Sequence, residues 1–117
     1  MKRPAIACVL LLGALSLQPA PEAIAANIAL RGASTCAHWT KGRAQNDAKY
    51  EKTWLTGYFS GMSIALDINF WGNKGSDELE IETAWKWMDA YCAANAQNSL
   101  VQGAEKLFIE RANKLNR

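Results

Sequence analysis

The sequence predicts an all-α protein: a small domain of about four helices clasped by one disulfide. After residue 35, apolar side chains recur at three- and four-residue steps, which is the spacing of amphipathic helices. No sustained two-residue alternation of β-branched and aromatic residues indicates a strand. Residues 26–117 also contain no proline, and their two cysteines are Cys36 and Cys92.

The first helix is predicted at about residues 35–44. Ser34 or Thr35 can cap its N-terminus, and Cys36 and Trp39 lie three residues apart on one side. A helix this short is not stable alone, so a link through Cys36 would hold it to the rest of the domain. His38 has no triad partner in a recognisable arrangement, and we expect it at the surface.

The second helix is predicted at about residues 48–70 and contains the stretch "TWLTGYFSGMSIAL". Its apolar residues follow helical spacing. They are Tyr50, Trp54, Leu55, Tyr58, Met62, Ala65 and Leu66.

Gly57 and Gly61 lie four residues apart, so they share one face of this helix. Each glycine costs up to about 1 kcal/mol inside a helix. We expect helix packing to offset that cost, because the missing side chains let another backbone approach closely, as in membrane helices. The charges at Lys49 and Asp67 bracket an apolar segment too short to span a membrane. A ligand slot above the glycines is the alternative.

The stretch "WGNKGSDELEIET" interrupts the helical pattern with the turn residues Gly72, Asn73 and Gly75. The acidic residues that follow lack the spacing and central glycine of an EF-hand. They are explained instead by their position before a helix N-terminus, where the helix dipole favours acidic residues. We therefore predict no metal site and no cofactor.

The third helix is predicted at about residues 82–94, with Trp85, Met88 and Cys92 on one face and Trp87 and Tyr91 on a second edge. We expect Trp85, like Trp39 and Trp54, in the core.

The fourth helix is predicted to begin after Ser99, which forms a capping box with Gln102. Its buried stripe comprises Leu100, Ala104, Leu107, Phe108 and Leu115.

The first 25 residues are predicted to be a signal peptide. Lys2 and Arg3 precede an apolar run over residues 5–17, and Ala23-Ile24-Ala25 fits a signal peptidase site, with cleavage before Ala26 or Asn27. The run is shorter than the roughly 20 residues of a membrane-spanning helix, which disfavours an uncleaved anchor. Residues 26–117 would then form a single helical domain in the periplasm.

The predicted export also affects the expected oxidation state of the cysteines. In an oxidising compartment, Cys36 and Cys92 predict one disulfide. Its loop of about 55 residues corresponds to about 4 kcal/mol in the chain-entropy model.

The charge balance disfavours nucleic acid as a partner. The chain carries 13 basic and 11 acidic residues, a formal charge of +2, without a basic stripe. The residues after position 25 also lack a paired-carboxylate or nucleophile–base signature, so we do not expect an enzyme.

The order of motifs in this chain resembles that of a group of small exported bacterial proteins. The motifs are a cysteine followed by a tryptophan, the "WLTGYFSG" helix, an acidic linker, "WMDAYCAAN" and a capped last helix. That group is related to the HdeA/HdeB acid-stress chaperones and to type VI secretion immunity proteins. The resemblance covers Cys36 to about Lys114. It implies a small periplasmic helical protein with a disulfide between an early and a later helix, here Cys36–Cys92. The Ala93-Ala94-Asn95-Ala96 segment departs from the group, where a proline is common.

The resemblance implies a non-catalytic protein-binding module with three alternative roles. An HdeA-like chaperone is a homodimer that comes apart in acid and binds unfolding clients through apolar helix faces. An immunity protein binds one periplasmic toxin, here through the loop at residues 73–78. An accessory envelope protein would have neither role. The candidate chaperone surface comprises Trp54, Tyr58, Phe59 and Met62, and the tryptophans expected to be exposed are Trp71 and Trp87.

Overall fold

A computed structural model describes residues 30–116. The helices are α1 (Cys36–Ala44), α2 (Lys49–Leu66), α3 (Ile81–Ala94) and α4 (Leu100–Leu115), which confirms the predicted all-α fold of four helices. No strand occurs in this range, where an isolated bridge pairs Thr35 with Ser99. The predicted signal peptide and both candidate cleavage sites lie outside the described residues.

Two helix starts follow the predicted capping chemistry. The Thr35 side chain accepts a hydrogen bond from the His38 N–H at the start of α1. At the start of α4, Ser99 and Gln102 form the predicted capping box. These side chains satisfy N–H groups that the first helical turn leaves free.

The predicted end of α2 at Phe70 is wrong, because the helix stops at Leu66. Asp67 adopts the left-handed conformation, with φ 53°, and its N–H donates to the Ser63 carbonyl. The Ile68 N–H donates to the same carbonyl. An aspartate tolerates this conformation better than most residues, so it ends the helix one turn early.

The predicted disulfide between Cys36 and Cys92 is confirmed, and it joins the start of α1 to the end of α3. Two backbone hydrogen bonds lie beside it. The Cys36 N–H donates to the Asn98 carbonyl at 3.0 Å, and the Leu100 N–H donates to the Ser34 carbonyl at 2.9 Å. The ends of three helices are thus held at one point.

The core is aromatic. The rings of Phe59, Phe70 and Phe108 form a continuous stack, with centroid distances of 4.2 Å and 5.4 Å. Trp39 and Trp85 pack together at 5.8 Å and are both buried, as the sequence predicted. Helix α1 packs on α3, α3 on α4 and α2 on α4. These rings belong to one core cluster with contributions from all four helices.

Arg111 of α4 is buried and organises the loop between α2 and α3. Its Nε donates to the Phe70 carbonyl at 2.8 Å, and its second nitrogen donates to the Asp77 carbonyl. Gly72, with φ +76°, lies against the Asp77 carbonyl and the Arg111 guanidinium, and a Cβ there would overlap that carbonyl. The loop therefore wraps around a buried guanidinium, which the sequence analysis did not identify.

Candidate protein-binding surface

Trp54 and Tyr58 form an aromatic pair on the outer edge of α2. Their rings stack at 5.2 Å with an interplanar angle of 16°, and both side chains are half-buried. The Trp54 Nε1 donates to the Arg31 carbonyl, which places the segment before α1 beside this pair. Each ring keeps part of its surface open to a partner.

Phe59 does not belong to the surface of the folded protein, which corrects its prediction as a contact residue. It is fully buried in the phenylalanine stack. Met62 is half-buried and packs against the same core. Of the four predicted chaperone-surface residues, Trp54, Tyr58 and Met62 are therefore half-buried and pack on the core with part of their surface open, and only Phe59 is withdrawn from the surface.

Trp71 and Trp87 are both half-buried. Trp71 lies edge-on to Phe70 at 4.8 Å. Trp87 stacks on Tyr91 at 5.6 Å, and its Nε1 donates to Glu110 at 3.0 Å. A cleft of about 240 Å³ opens beside Trp87. Of the six predicted contact residues, five are thus half-buried and keep some exposed surface, whereas Phe59 has none.

The prediction that Gly57 and Gly61 permit helix packing within the domain is wrong. Both are exposed, and a Cβ added at either would meet nothing within 4 Å in the part of the chain that the structure describes. Each is two residues from Phe59, so at about 100° per residue the glycines lie on the opposite side of α2 from that buried ring. The face that they share points outward.

Replacing Gly57 or Gly61 with alanine is expected to raise the free energy of unfolding by about 1 kcal/mol each. Alanine has the better helix propensity, and the open space accommodates its methyl group. Urea denaturation of the single and double variants measures the change. Gly103→Ala is the control, because a Cβ there would collide with Tyr91 and Met88, and we expect it to destabilise. Loss of stability in Gly57→Ala would contradict the open environment.

Several large apolar side chains are exposed. Ile64, on the outward side of α2, is 86% exposed, and Tyr50 is 60% exposed. Leu66, Ile81 and Ile109 are also at the surface. These side chains belong to three helices, and single exposed apolar residues are normal on a protein surface.

Asp89 of α3 holds α1 in place through its carboxylate. Its Oδ1 accepts hydrogen bonds from the Trp39 Nε1 at 2.8 Å and from the Arg43 Nε at 2.9 Å. A second Arg43 nitrogen donates to Oδ2 at 2.8 Å, so the ion pair is bidentate. We call Asp89, Trp39 and Arg43 the Asp89 cluster. The hydrogen bonds to Asp89 raise the pKa of Arg43.

Glu82 extends this charge network to α2. One of its oxygens lies 3.7 Å from the Lys52 Nζ, and the other lies 4.0 Å from an Arg43 nitrogen. Its side chain is 60% exposed, so these pairs contribute little by themselves. The larger contribution comes from the bidentate, half-buried pair at Asp89.

Asp77 orders the exposed part of the loop. Its Oδ1 accepts hydrogen bonds from the Asn73 N–H at 2.9 Å and the Ser76 hydroxyl at 2.8 Å. These bonds, that from Asn73 first, lower the pKa of Asp77. Within residues 30–116, no group of three or more His, Cys, Asp or Glu side chains is arranged to hold a metal ion.

Sequence reasoning missed Asp89 and Arg111. Position 111 follows Ala104, Leu107 and Phe108 at helical spacing, so the periodicity of α4 places it on the buried stripe. A charged residue at such a position indicates a buried polar contact. Asp89 gave no comparable signal, since its partners are 46 and 50 residues away.

Comparison with protein-family models, curated proteins and solved structures finds no match to this chain. No helix in residues 30–116 combines the length and the apolarity that crossing a membrane requires. The resemblance to HdeA-like proteins therefore rests on the sequence segments quoted for it.

Proposed function

We propose that this chain is a non-catalytic periplasmic protein-binding module that opens in acid and binds unfolding proteins, in the manner of the acid-stress chaperones it resembles. The observation that carries the proposal is that one carboxylate makes a tertiary contact between helices and another orders a loop. Asp89 holds α1 on α3, and Asp77 orders the loop that Arg111 anchors to α4.

The Asp89 carboxylate supplies both the charge that pairs with Arg43 and the acceptor for the Trp39 indole. Because α1 is nine residues long, it depends on these contacts and on the disulfide to stay docked. Its release uncovers Trp39 and Trp85, which are fully or almost fully buried in the folded protein. The disulfide keeps the opened chain compact at that end.

The sign of the pH dependence follows from Asp77. Its pKa in the folded protein lies below the ordinary value of 3.8. The carboxylate therefore adds stability above the unfolded pKa, and this stability is lost as the pH falls through the folded pKa. Protonation of the other carboxylates also leaves the chain strongly positive, and self-repulsion favours opening.

Tryptophan fluorescence of the oxidised protein between about pH 7 and about pH 2 tests the proposal, because acid opening moves indoles from the core to water. We expect a reversible transition below about pH 4. We also expect suppression of the aggregation of an acid-denatured client over the same range. A compact protein that suppresses no aggregation at about pH 2.5 would refute the chaperone function.

Asp77→Asn is the informative variant, because asparagine keeps the shape of the side chain and cannot lose a charge. We expect it to be less stable than the parent protein at pH 7 and to lose less stability on acidification. Asp47→Asn is the matched control, since Asp47 is exposed and forms no ion pair within the described residues. An Asp77→Asn variant with the parent's pH profile would exclude the Asp77 carboxylate as the acid-sensitive group.

One observation favours the second candidate, an immunity protein that binds a single toxin. The loop at residues 73–78 is ordered by internal hydrogen bonds and anchored by Arg111, yet several of its side chains face solvent. A preorganised exposed loop is suited to specific recognition. Capture of one periplasmic protein at neutral pH, abolished by substitutions at exposed Lys74 and Glu78, would support this function over the chaperone.

A further inference from the structure

Most of the outward face of α2 has no partner among residues 30–116; the exception is Tyr50 at its N-terminal end, whose hydroxyl donates to the Gly32 carbonyl at 3.1 Å. Its members follow each other at three- and four-residue steps and lie on the side opposite Leu55 and Phe59. This outward face comprises Tyr50, Thr53, Gly57, Gly61 and Ile64. Two glycines at its centre lower helix propensity without providing packing space inside the domain.

Two charges at the ends of α2, Lys49 and Asp67, oppose the dipole of their own helix, whereas Glu51 in the first turn complements it. Lys49 lies in the first turn, where an acidic residue is favoured, and the N-cap Ala48 provides no side-chain hydrogen bond. Asp67 caps the C-terminus, where a basic residue is favoured, and the last turn contains none. Neither Lys49 nor Asp67 forms an ion pair within the described residues.

We propose that the outward face of α2 is a self-association surface, on which α2 of a second copy of this chain packs antiparallel. The antiparallel orientation reverses the unfavourable charge placement. Lys49 then lies near Asp67 of the second copy, and each of these charges complements the helix end of the other copy. A parallel pair would instead bring the two Lys49 side chains together.

A two-fold axis beside residue 59 fixes the register. Gly57 then faces Gly61 of the second copy, which lets the two backbones approach closely. In the same register, Ile64 faces Trp54 of the second copy. This contact covers the most exposed large apolar side chain of the described chain with a half-exposed indole.

The size of the surface sets the expected affinity. An 18-residue helix is about 27 Å long. A single pair of helices buries less than the roughly 800 Å² per partner of a standard interface. We therefore expect a weak dimer, with a dissociation constant on the order of 10 to 100 µM. This pairing does not depend on the proposed chaperone function.

Sedimentation equilibrium of the oxidised protein at neutral pH, up to about 1 mM, tests the proposal in the expected affinity range. We expect a monomer–dimer equilibrium that Gly57→Leu weakens at least about tenfold, because the leucine side chain keeps the backbones apart. The same variant should leave the monomer folded, since its side chain extends into open space. Circular dichroism at low protein concentration verifies that condition.

Lys49→Glu tests the orientation. It places a favourable charge at the N-terminus of its own helix, so the thermal midpoint of the monomer should not fall. It also places two carboxylates together across the antiparallel pair, and we expect about tenfold weaker association. Adding Asp67→Asn should restore part of this loss, because asparagine removes the repulsion and tolerates the left-handed backbone.

Lys106→Glu on α4 is the matched control and should leave association unchanged, since Lys106 lies on another exposed helix face. A protein that remains monomeric at about 1 mM would overturn the proposal, as it would show that the outward face of α2 is unoccupied or covered by another part of the chain. A dimer of the same strength in Gly57→Leu would also overturn it, because association would then use another surface.

Discussion

Removing the Cys36–Cys92 disulfide, in Cys36→Ala/Cys92→Ala, is expected to lower the free energy of unfolding by about 4 kcal/mol. The cross-link closes a loop over most of the described chain and thereby restricts the unfolded state. A domain of this size has only about 5–10 kcal/mol of stability. We therefore expect the variant to be largely unfolded or marginally stable at 37 °C.

Urea denaturation followed by tryptophan fluorescence measures this loss. Reduction of the parent protein with a thiol provides the matched comparison, because it opens the cross-link without changing any residue. Both cysteines are buried, so alanine is preferable to serine, which would add a buried hydroxyl. A loss below about 1 kcal/mol in both experiments would show that the tertiary contacts alone hold the domain.

The loss should begin at α1. This helix is nine residues long and too short to be stable alone. Without the disulfide, the Asp89 cluster and the two backbone bonds beside Cys36 hold it. Hydrogen exchange of the reduced protein should therefore show loss of protection in α1 before the α3–α4 pair.

The helices could be predicted because their signals are local. Apolar periodicity gave their number and approximate positions, and the cap at Thr35 and the capping box at Ser99 fixed two starts within a few residues. Each of these signals spans one or two turns of chain. The disulfide was equally predictable, because removal of the predicted signal peptide would leave Cys36 and Cys92 as the remaining cysteines.

The environment of Gly57 and Gly61 could not be predicted in this way. The apolar residues of α2 form two stripes, one with Tyr50 and Trp54 and the other with Leu55 and Phe59. Spacing shows which residues share a stripe, but it does not show which stripe meets the core. The phenylalanine stack with Phe70 and Phe108 decides this, through contacts between distant parts of the chain. The glycines lie opposite that stack.

Asp89 and Arg111 were missed for a related reason. Their contacts join segments 34 to 50 residues apart, and no local pattern encodes which backbone carbonyl or indole will meet a given charge. Sequence spacing indicates that position 111 lies on a buried stripe. It does not reveal that two loop carbonyls converge there.

Arg111→Met is expected to lower the free energy of unfolding by about 3 kcal/mol, the second-largest effect of a change in this chain. Methionine keeps most of the aliphatic volume of the side chain, so the loss reports the hydrogen bonds. The Phe70 and Asp77 carbonyls would both lose their charged donor. A buried carbonyl without a partner costs about 1–3 kcal/mol, which exceeds the gain from no longer burying a charge.

The loop should show the local consequence of this change. Trp71 lies next to Phe70, so we expect its fluorescence to shift toward that of a solvated indole in Arg111→Met. Lys106→Met, at an exposed position of the same helix, is the control and should change neither stability nor fluorescence.

Arg111→Lys separates charge from geometry. A lysine retains the positive charge, but its compact ammonium cannot reproduce the fork with which arginine reaches two carbonyls. If the fork orders the loop, Arg111→Lys should recover less than half of the stability lost in Arg111→Met, and the Trp71 signal should remain shifted. Full recovery would show that a cation near the Phe70 and Asp77 carbonyls is sufficient. Stability unchanged in Arg111→Met itself would mean that the aromatic stack, rather than the guanidinium, holds the loop against α4.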